Sequence, residues 1–370
     1  MIPVFKPCYG EGELEALREP FRTGWLGLGP KTKEFEDKFA EYIGVSFSVG
    51  VNSATAALHL ALKVMDVEGC EVITTPMTFV STNHAILYAN ATPVFCDIEP
   101  DTLNIDANKI EALVTEKTKA IMVVHYGGYA CDMDPILDIA KRHSLKVVED
   151  NAHGCGGDYK KQKLGSVGDI GCFSFHAVKN LATGDGGMVT TDDPEIYERL
   201  KRLRWMGITK DTWNREEKDS KKYSWYYDVA ELGFKYHMND ITASLGLVQL
   251  AKLDEMNSRR REISRIYTEA LSEIGWIETP VIKDYMTRPA FHNYVIKTDY
   301  RDQLNDYLKA KGISTGVHYI PSNHYDLYCN SRGKTPISDK VWKRLLTLPL
   351  FPDLGSEDIK KIIGAIKDFK

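Results

Sequence analysis

Short runs rich in β-branched and apolar residues recur along the first half of this chain, spaced so that a helix fits between most of them. The runs lie at residues 47–51, 71–75, 93–97, 120–125, 146–150, 171–175 and 188–191. The stretches between them carry helical spacing: 32–43, with Phe35, Phe39 and Ile43 on one face, then 54–65, 83–88 and 133–142. Strands alternating with helices predict an α/β fold with a mostly parallel, seven-stranded sheet covered on both faces. On such a sheet ligands gather at the carboxyl ends of strands, where helix N-termini also point. Beyond Thr191 the pattern changes. A polar, aromatic stretch at 210–228 precedes a long helical pattern at about 239–274, and further strands are expected at 292–297 and 313–317, followed by terminal helices. We read a large α/β domain over residues 1–245 and a smaller α+β domain over 246–370, bridged by the long helix.

The formal net charge of -5 does not suit a partner such as nucleic acid, so any anion site must be local. Seven scattered cysteines with no C-x-x-C pair argue against a disulfide framework or a zinc knuckle and fit a reducing compartment. No apolar signal core opens the sequence, and the longest apolar stretch, 54–65, is broken by His59 and Lys63 and is too short to span a bilayer. A cytoplasmic protein without membrane or nucleic-acid partners is expected.

Three segments carry chemistry. The first is the apolar run Val147-Val148-Glu149-Asp150, which ends in a carboxylate followed by Asn151-Ala152-His153. A strand-end aspartate often caps a turn. It can instead hold the ring nitrogen of a pyridine cofactor protonated and so maintain an electron sink. The second segment delivers Ser174 from a strand and Lys179 five residues later, ahead of Gly184-Asp185-Gly186-Gly187. A loop lysine is ordinarily a solvated charge. One enclosed by an apolar strand and a glycine cluster can lose water and form a Schiff base with an aldehyde, and the glycines let backbone pass close to a flat ring. In the third, Ser53 reads as an N-cap after a strand, leaving the amides of Ala54 and Thr55 at the positive end of a helix, a place for phosphate. Many β–α turns share that pattern without binding anything.

Together these segments resemble the DegT-type sugar-nucleotide aminotransferases, which are fold type I pyridoxal-phosphate enzymes. The resemblance extends through Arg22-Thr23-Gly24-Trp25-Leu26-Gly27-Leu28-Gly29-Pro30, Thr75-Pro76-Met77-Thr78-Phe79-Val80-Ser81-Thr82, Gly233-Phe234-Lys235-Tyr236-His237-Met238-Asn239-Asp240 and the His318-Tyr319 pair. It implies that pyridoxal 5'-phosphate is the cofactor, Lys179 the Schiff-base lysine and Asp150 the partner of the pyridine nitrogen. It further implies that Phe79 stacks on the ring and His153 lies near the phenolic oxygen, while Ser53, Ala54, Thr55 and Ser174 hold the phosphate. His318, Trp25 and Lys6 would meet substrate. Lys235, where many relatives carry Asn, would reach the cofactor of a neighbouring subunit, making a homodimer with composite sites. A metal is not expected, because His318 and His324 lack the carboxylate placement of an H-E-x-x-H motif.

The reaction implied is ping-pong transfer of an amino group from glutamate to a nucleotide-linked keto-deoxy sugar, giving an amino sugar for glycan, O-antigen or antibiotic-sugar biosynthesis. The run from Trp25 to Pro30 resembles members that aminate C4. Amination at C3 is an alternative, and so is a cofactor-dependent sugar dehydratase, in which histidine replaces the lysine kept here as Lys179. A catalytically silent protein on the same fold is a third, although every mapped chemical position holds a competent residue.

Overall fold

The computed structural model describes residues 1–209, 227–331 and 334–370, so nearly all of the polar, aromatic stretch at 210–228 lies outside the described residues. Nine strands come first in the chain: β1 (Phe47–Val51), β2 (Glu71–Thr74), β3 (Thr92–Phe95), β4 (Thr118–Val124), β5 (Lys146–Asp150), β6 (Asp158–Tyr159), β7 (Gln162–Lys163), β8 (Ile170–Ser174) and β9 (Gly187–Thr191). β6 and β7 make a small hairpin. The other seven form one sheet in the order β1-β9-β8-β5-β4-β2-β3. β9 alone runs against its neighbours β8 and β1; the remaining strands point the same way. The expected strands at 47–51 and 146–150 appear with those limits, and the others shift by a residue or two.

Alternation along each strand explains how the sheet is buried on both sides. Val72, Ala120, Met122, Val148, Cys172 and Val189 face the helix Ala54–Val64 and its neighbours. Ile73, Ile121 and Val147 face the opposite layer, where Ile136 and Ile139 of the helix Met133–Arg142 pack. On β8 and β9, Phe173 and Met188 meet Phe35 and Phe39 of the helix Pro30–Ile43. That helix starts at Pro30, whose missing N–H costs nothing at a helix N-terminus. Its first amides are capped from far away in sequence. The carboxylate of Asp240 accepts from the N–H of Gly29 (3.0 Å), Lys31 (3.1 Å) and Thr32 (2.9 Å). A side chain at Gly29 would place its Cβ 2.6 Å from Asp240 Oδ2, so glycine is required for this approach.

Asp240 also begins the helix Asp240–Leu271, whose N-cap Asn239 accepts from the Thr242 N–H. Beyond it β10 (Tyr294–Lys297) pairs antiparallel with β11 (Leu345–Leu348). The strand expected at 313–317 does not form. Ile313 and Gly316 make isolated bridges to Ile2 and Thr347, and the place beside β10 is taken by β11, a run of Leu345, Leu346 and Leu348 ahead of Pro349. One apolar cluster joins Ile73, Ile121 and Val147 of the sheet to Ile263, Leu304, Leu346 and Ile366 of the C-terminal part.

Candidate active site

Where β4, β5 and β8 end, a cavity of about 380 Å³ opens. Asp150, the last residue of β5, lies on its wall and is 4% exposed. The Thr82 hydroxyl donates to its Oδ2 at 2.6 Å and the Ala152 N–H to its Oδ1 at 3.1 Å. A carboxylate has about four acceptor sites, so capacity remains for a further donor. Burial pushes Asp150 above the usual carboxylate range, opposed by those two bonds and by the charge of Lys179. A protonated ring nitrogen brought next to it would favour the ionised form.

Glu149, on the other face of β5, is fully buried and stays ionised by a different arrangement. Burial pushes its pKa up, but a bond with His125 at 2.9 Å and the N–H groups of Gly165, Val167 and Gly168 outweigh that and hold it below the ordinary value. These bonds tie β5 to the segment entering β8.

Ser174 ends β8 on the cavity wall. The loop after it is closed by the Phe175 N–H donating to Gly186 O (2.9 Å) and the Thr183 N–H to Phe175 O (2.8 Å). Asn180 fastens it to the long helix, donating to Asn257 Oδ1 and to Ala290 O, each at 2.8 Å. Lys179 is thereby held in the cavity on an anchored loop. It is half-buried and lines the cavity. Burial lowers its pKa to about 8, partly offset by Asp150. Among the described residues no carboxylate lies within ion-pair distance of its amine.

The helix Ala54–Val64 points its N-terminus into the same cavity. Ser53 Oγ accepts from the Ala56 N–H at 3.1 Å, while the amides of Ala54 and Thr55 have no protein acceptor among the described residues. The glycines near Lys179 act here through packing. A Cβ on Gly187 would stand 2.6 Å from the backbone carbon of Ser53, so a side chain there would push β9 off the turn that carries these amides. Phe79, 57% exposed, lies at the cavity with its ring free to cover a flat ligand.

His153 and His318 also line the cavity. His318 Nδ1 bonds with the Thr347 hydroxyl at 2.8 Å, and burial, then Lys179, lowers its pKa to about 4. His324 instead pairs with Asp339, and no group of three or more metal-ligating side chains occurs among the described residues. Two residues expected to meet substrate are not brought to this cavity: Lys6 is exposed beside Asp353 at 3.9 Å, and Trp25 lies 43% exposed. Lys235, expected at the cofactor of a neighbouring subunit, rests its amine 3.4 Å from the centre of the Trp205 ring. Sequence reasoning assigned no role to Thr82, Phe5, His292 and Tyr319, which the fold gathers here. Tyr319 adjoins His318 in sequence, and that adjacency was the signal available for it.

A model of the DegT/DnrJ/EryC1/StrS aminotransferase family matches residues 7–367. The chain belongs to that family. It is similar to the spore coat polysaccharide biosynthesis protein SpsC of Bacillus subtilis, 43% identical over 379 residues, covering 99% of this chain and 96% of SpsC. The PMP form of the sugar aminotransferase Spr1654 of Streptococcus pneumoniae superposes with a TM-score of 0.93 at 33% identity, covering 100% of this chain and 99% of that one. PseC of Helicobacter pylori, an aminotransferase involved in the biosynthesis of pseudoaminic acid, superposes at 0.91 with 28% identity, covering 100% of this chain and 98% of PseC. The chain is thus a fold type I aminotransferase that uses pyridoxal 5'-phosphate, and Spr1654 also has a solved PLP form. The cavity suits that cofactor. A half-buried lysine with no carboxylate within ion-pair distance among the described residues, a carboxylate with spare acceptor capacity, an exposed aromatic ring and two helix-end amides without acceptors among the described residues line the one cavity.

Proposed function

We propose that this aminotransferase moves an amino group from glutamate to the C4 carbonyl of a nucleotide-linked keto-deoxy sugar, and that the product feeds a surface glycan. The observation that carries the reading is Lys179, desolvated in the same cavity as Asp150 and with no carboxylate within ion-pair distance among the described residues. Support for the sugar comes from relatives described as sugar aminotransferases and from SpsC, described by its part in polysaccharide biosynthesis. Support for C4 comes from the run between Trp25 and Pro30.

Pyridoxal phosphate, when bound, supplies an electron sink for the carbon that loses its proton. In our reading the chain does the rest. Lys179, with a pKa of about 8, is available as a free base near neutrality; it would move the proton from the donor's alpha carbon to C4′ of the cofactor in the first half-reaction, and from C4′ to the former carbonyl carbon of the sugar in the second. Asp150 holds the ring nitrogen protonated, with Thr82 and the Ala152 amide fixing its carboxylate. Phe79 covers one ring face, His153 stands near the phenolic side, and Ser53, Ala54, Thr55 and Ser174 receive the phosphate. His318 borders the sugar. The enzyme acts as a cytoplasmic homodimer whose Lys235 serves the partner's site, with a large domain to about residue 245 and a smaller one beyond it.

The test is a panel of nucleotide-linked 4-keto and 3-keto sugars offered with glutamate, the products read by mass spectrometry. Amination of a 4-keto sugar is expected. Amine at C3 alone would overturn the position. A chain that exchanges its amino group with glutamate yet aminates no sugar in the panel would overturn the substrate class.

A further inference from the structure

Four rings stack along one wall of the cavity. Phe5 lies on His292 with 5.1 Å between centroids and 4° between planes, His292 on His153 at 4.6 Å and 21°, and His153 on Tyr319 at 5.9 Å and 11°. The stack fixes the plane of His153, and the bonds at its edges fix its proton. The Gly127 N–H donates to His153 Nδ1 at 3.3 Å. An amide hydrogen needs a bare lone pair, so Nδ1 carries no proton. Burial, then the charges of Lys179 and His318, keep His153 well below the usual histidine range, so the ring is neutral and its single proton sits on Nε2. That nitrogen stands 3.1 Å from the Tyr319 hydroxyl oxygen, so the histidine donates and the phenol oxygen accepts.

The consequence falls on Tyr319. Its oxygen is occupied as an acceptor, its own O–H has no protein acceptor among the described residues, and the side chain lines the cavity. Burial, then the charge of Asp150, pushes its pKa up, so the phenol keeps its proton. Both nitrogens of His153 are meanwhile engaged by protein, leaving that ring no free donor. We propose that Tyr319, oriented by His153, donates a hydrogen bond to a ligand oxygen that carries or gathers negative charge, either the ring phenolate of pyridoxal phosphate or the carbonyl oxygen of the keto substrate. Only the second acceptor rests on the sugar reading above.

Two measurements on the cofactor-bound protein test this. Nitrogen NMR of labelled histidine, with His153→Gln for assignment, should show the His153 proton on Nε2; a proton on Nδ1 overturns the proposal without reference to any substrate. Tyr319→Phe keeps the ring and removes the donor. If the acceptor is the phenolate, the pH midpoint of the bound cofactor's visible absorbance rises by about one unit, because the lost donor had favoured the deprotonated form. If it is the substrate carbonyl, the midpoint stays and kcat/KM falls about tenfold or more, only in the half-reaction that consumes keto sugar. An unmoved midpoint with no loss, or with a loss shared equally by both half-reactions, overturns the proposal.

Discussion

Lys179 and Lys235 are the same side chain in two regions that use it differently. Lys179 sits on a loop fastened by Asn180 to the long helix, half-buried, lining a cavity and lacking a carboxylate within ion-pair distance among the described residues. Lys235 lies exposed on the segment that runs beside Asn52, whose N–H donates to Tyr236 O at 2.7 Å, and its amine sits over the face of Trp205. Burial lowers the first to about 8 and makes its neutral form accessible. Partial desolvation also lowers the second below the ordinary lysine value, while the face of Trp205 attracts its charged form. A desolvating cavity with no carboxylate close enough to pair makes a lysine a nucleophile and base; an exposed ring face leaves it a cation.

The largest effect should come from removing the first. Lys179→Ala is expected to abolish turnover and the absorbance of the lysine-linked cofactor while leaving the cofactor-free protein folded, as read by circular dichroism. More than trace activity, with no added amine, would end the contrast between the two lysines. Asp150→Asn comes next. An amide cannot hold the ring nitrogen protonated, and losing about 4 kcal/mol of transition-state stabilisation slows the reaction roughly a thousandfold. Cofactor should still bind, and stopped-flow rates within tenfold of normal would reduce Asp150 to a turn residue.

The pH dependence sharpens the same comparison. Only the free amine of Lys179 attacks an aldehyde, so capture of pyridoxal phosphate by cofactor-free protein should level off above about 8 and fall about tenfold per unit below it. An unshifted lysine would keep gaining rate toward 10.5. The sign for stability follows from the same lowering. Between about 8 and 10.5 the unfolded chain holds the proton that the folded chain has released, so cofactor-free stability should rise with pH across that window. Lys179→Met should remove that slope.

How much of this was legible depended on whether the signal was local. β5 and β8 are short, apolar and buried on both faces, and each ends in a residue of the site, so pattern and chemistry coincided at Asp150 and Ser174. Thr82 reaches Asp150 across 68 residues and Tyr319 reaches His153 across 166, contacts that leave no periodicity in either segment. The false strand at 313–317 has the opposite cause. Its Ile313 and Val317 alternate correctly, but Gly312 at φ 78° turns the chain just before it, and β11 takes the place beside β10. Local alternation shows that a segment suits a sheet, and says nothing of which partner is nearest.

The smallest effect, and the one that tests what Lys235 is for, is Lys235→Ala. Lys235 does not line the cavity of its own chain, although its backbone carbonyl accepts from Asn52 Nδ2 at 3.4 Å, one residue before Ser53. In the proposed dimer it reaches the partner's phosphate, where a cation adds to the field of a helix N-terminus. A two-fold axis would repeat that contact in both sites. An exposed cation–phosphate contact is worth about 1 kcal/mol, so Lys235→Ala should weaken cofactor binding roughly fivefold to tenfold. Assayed at limiting cofactor, where each homodimer is impaired, mixed dimers of Lys179→Ala and Lys235→Ala chains separate the two possibilities. If the loop crosses the axis, one site in each mixed dimer has Lys179 from one chain and Lys235 from the Lys179→Ala chain. That site is intact, and up to half of a normal dimer's activity should return. If Lys235 serves its own chain, neither site in the mixed dimer is whole, and activity per active Lys179 stays at the level of the Lys235→Ala homodimer.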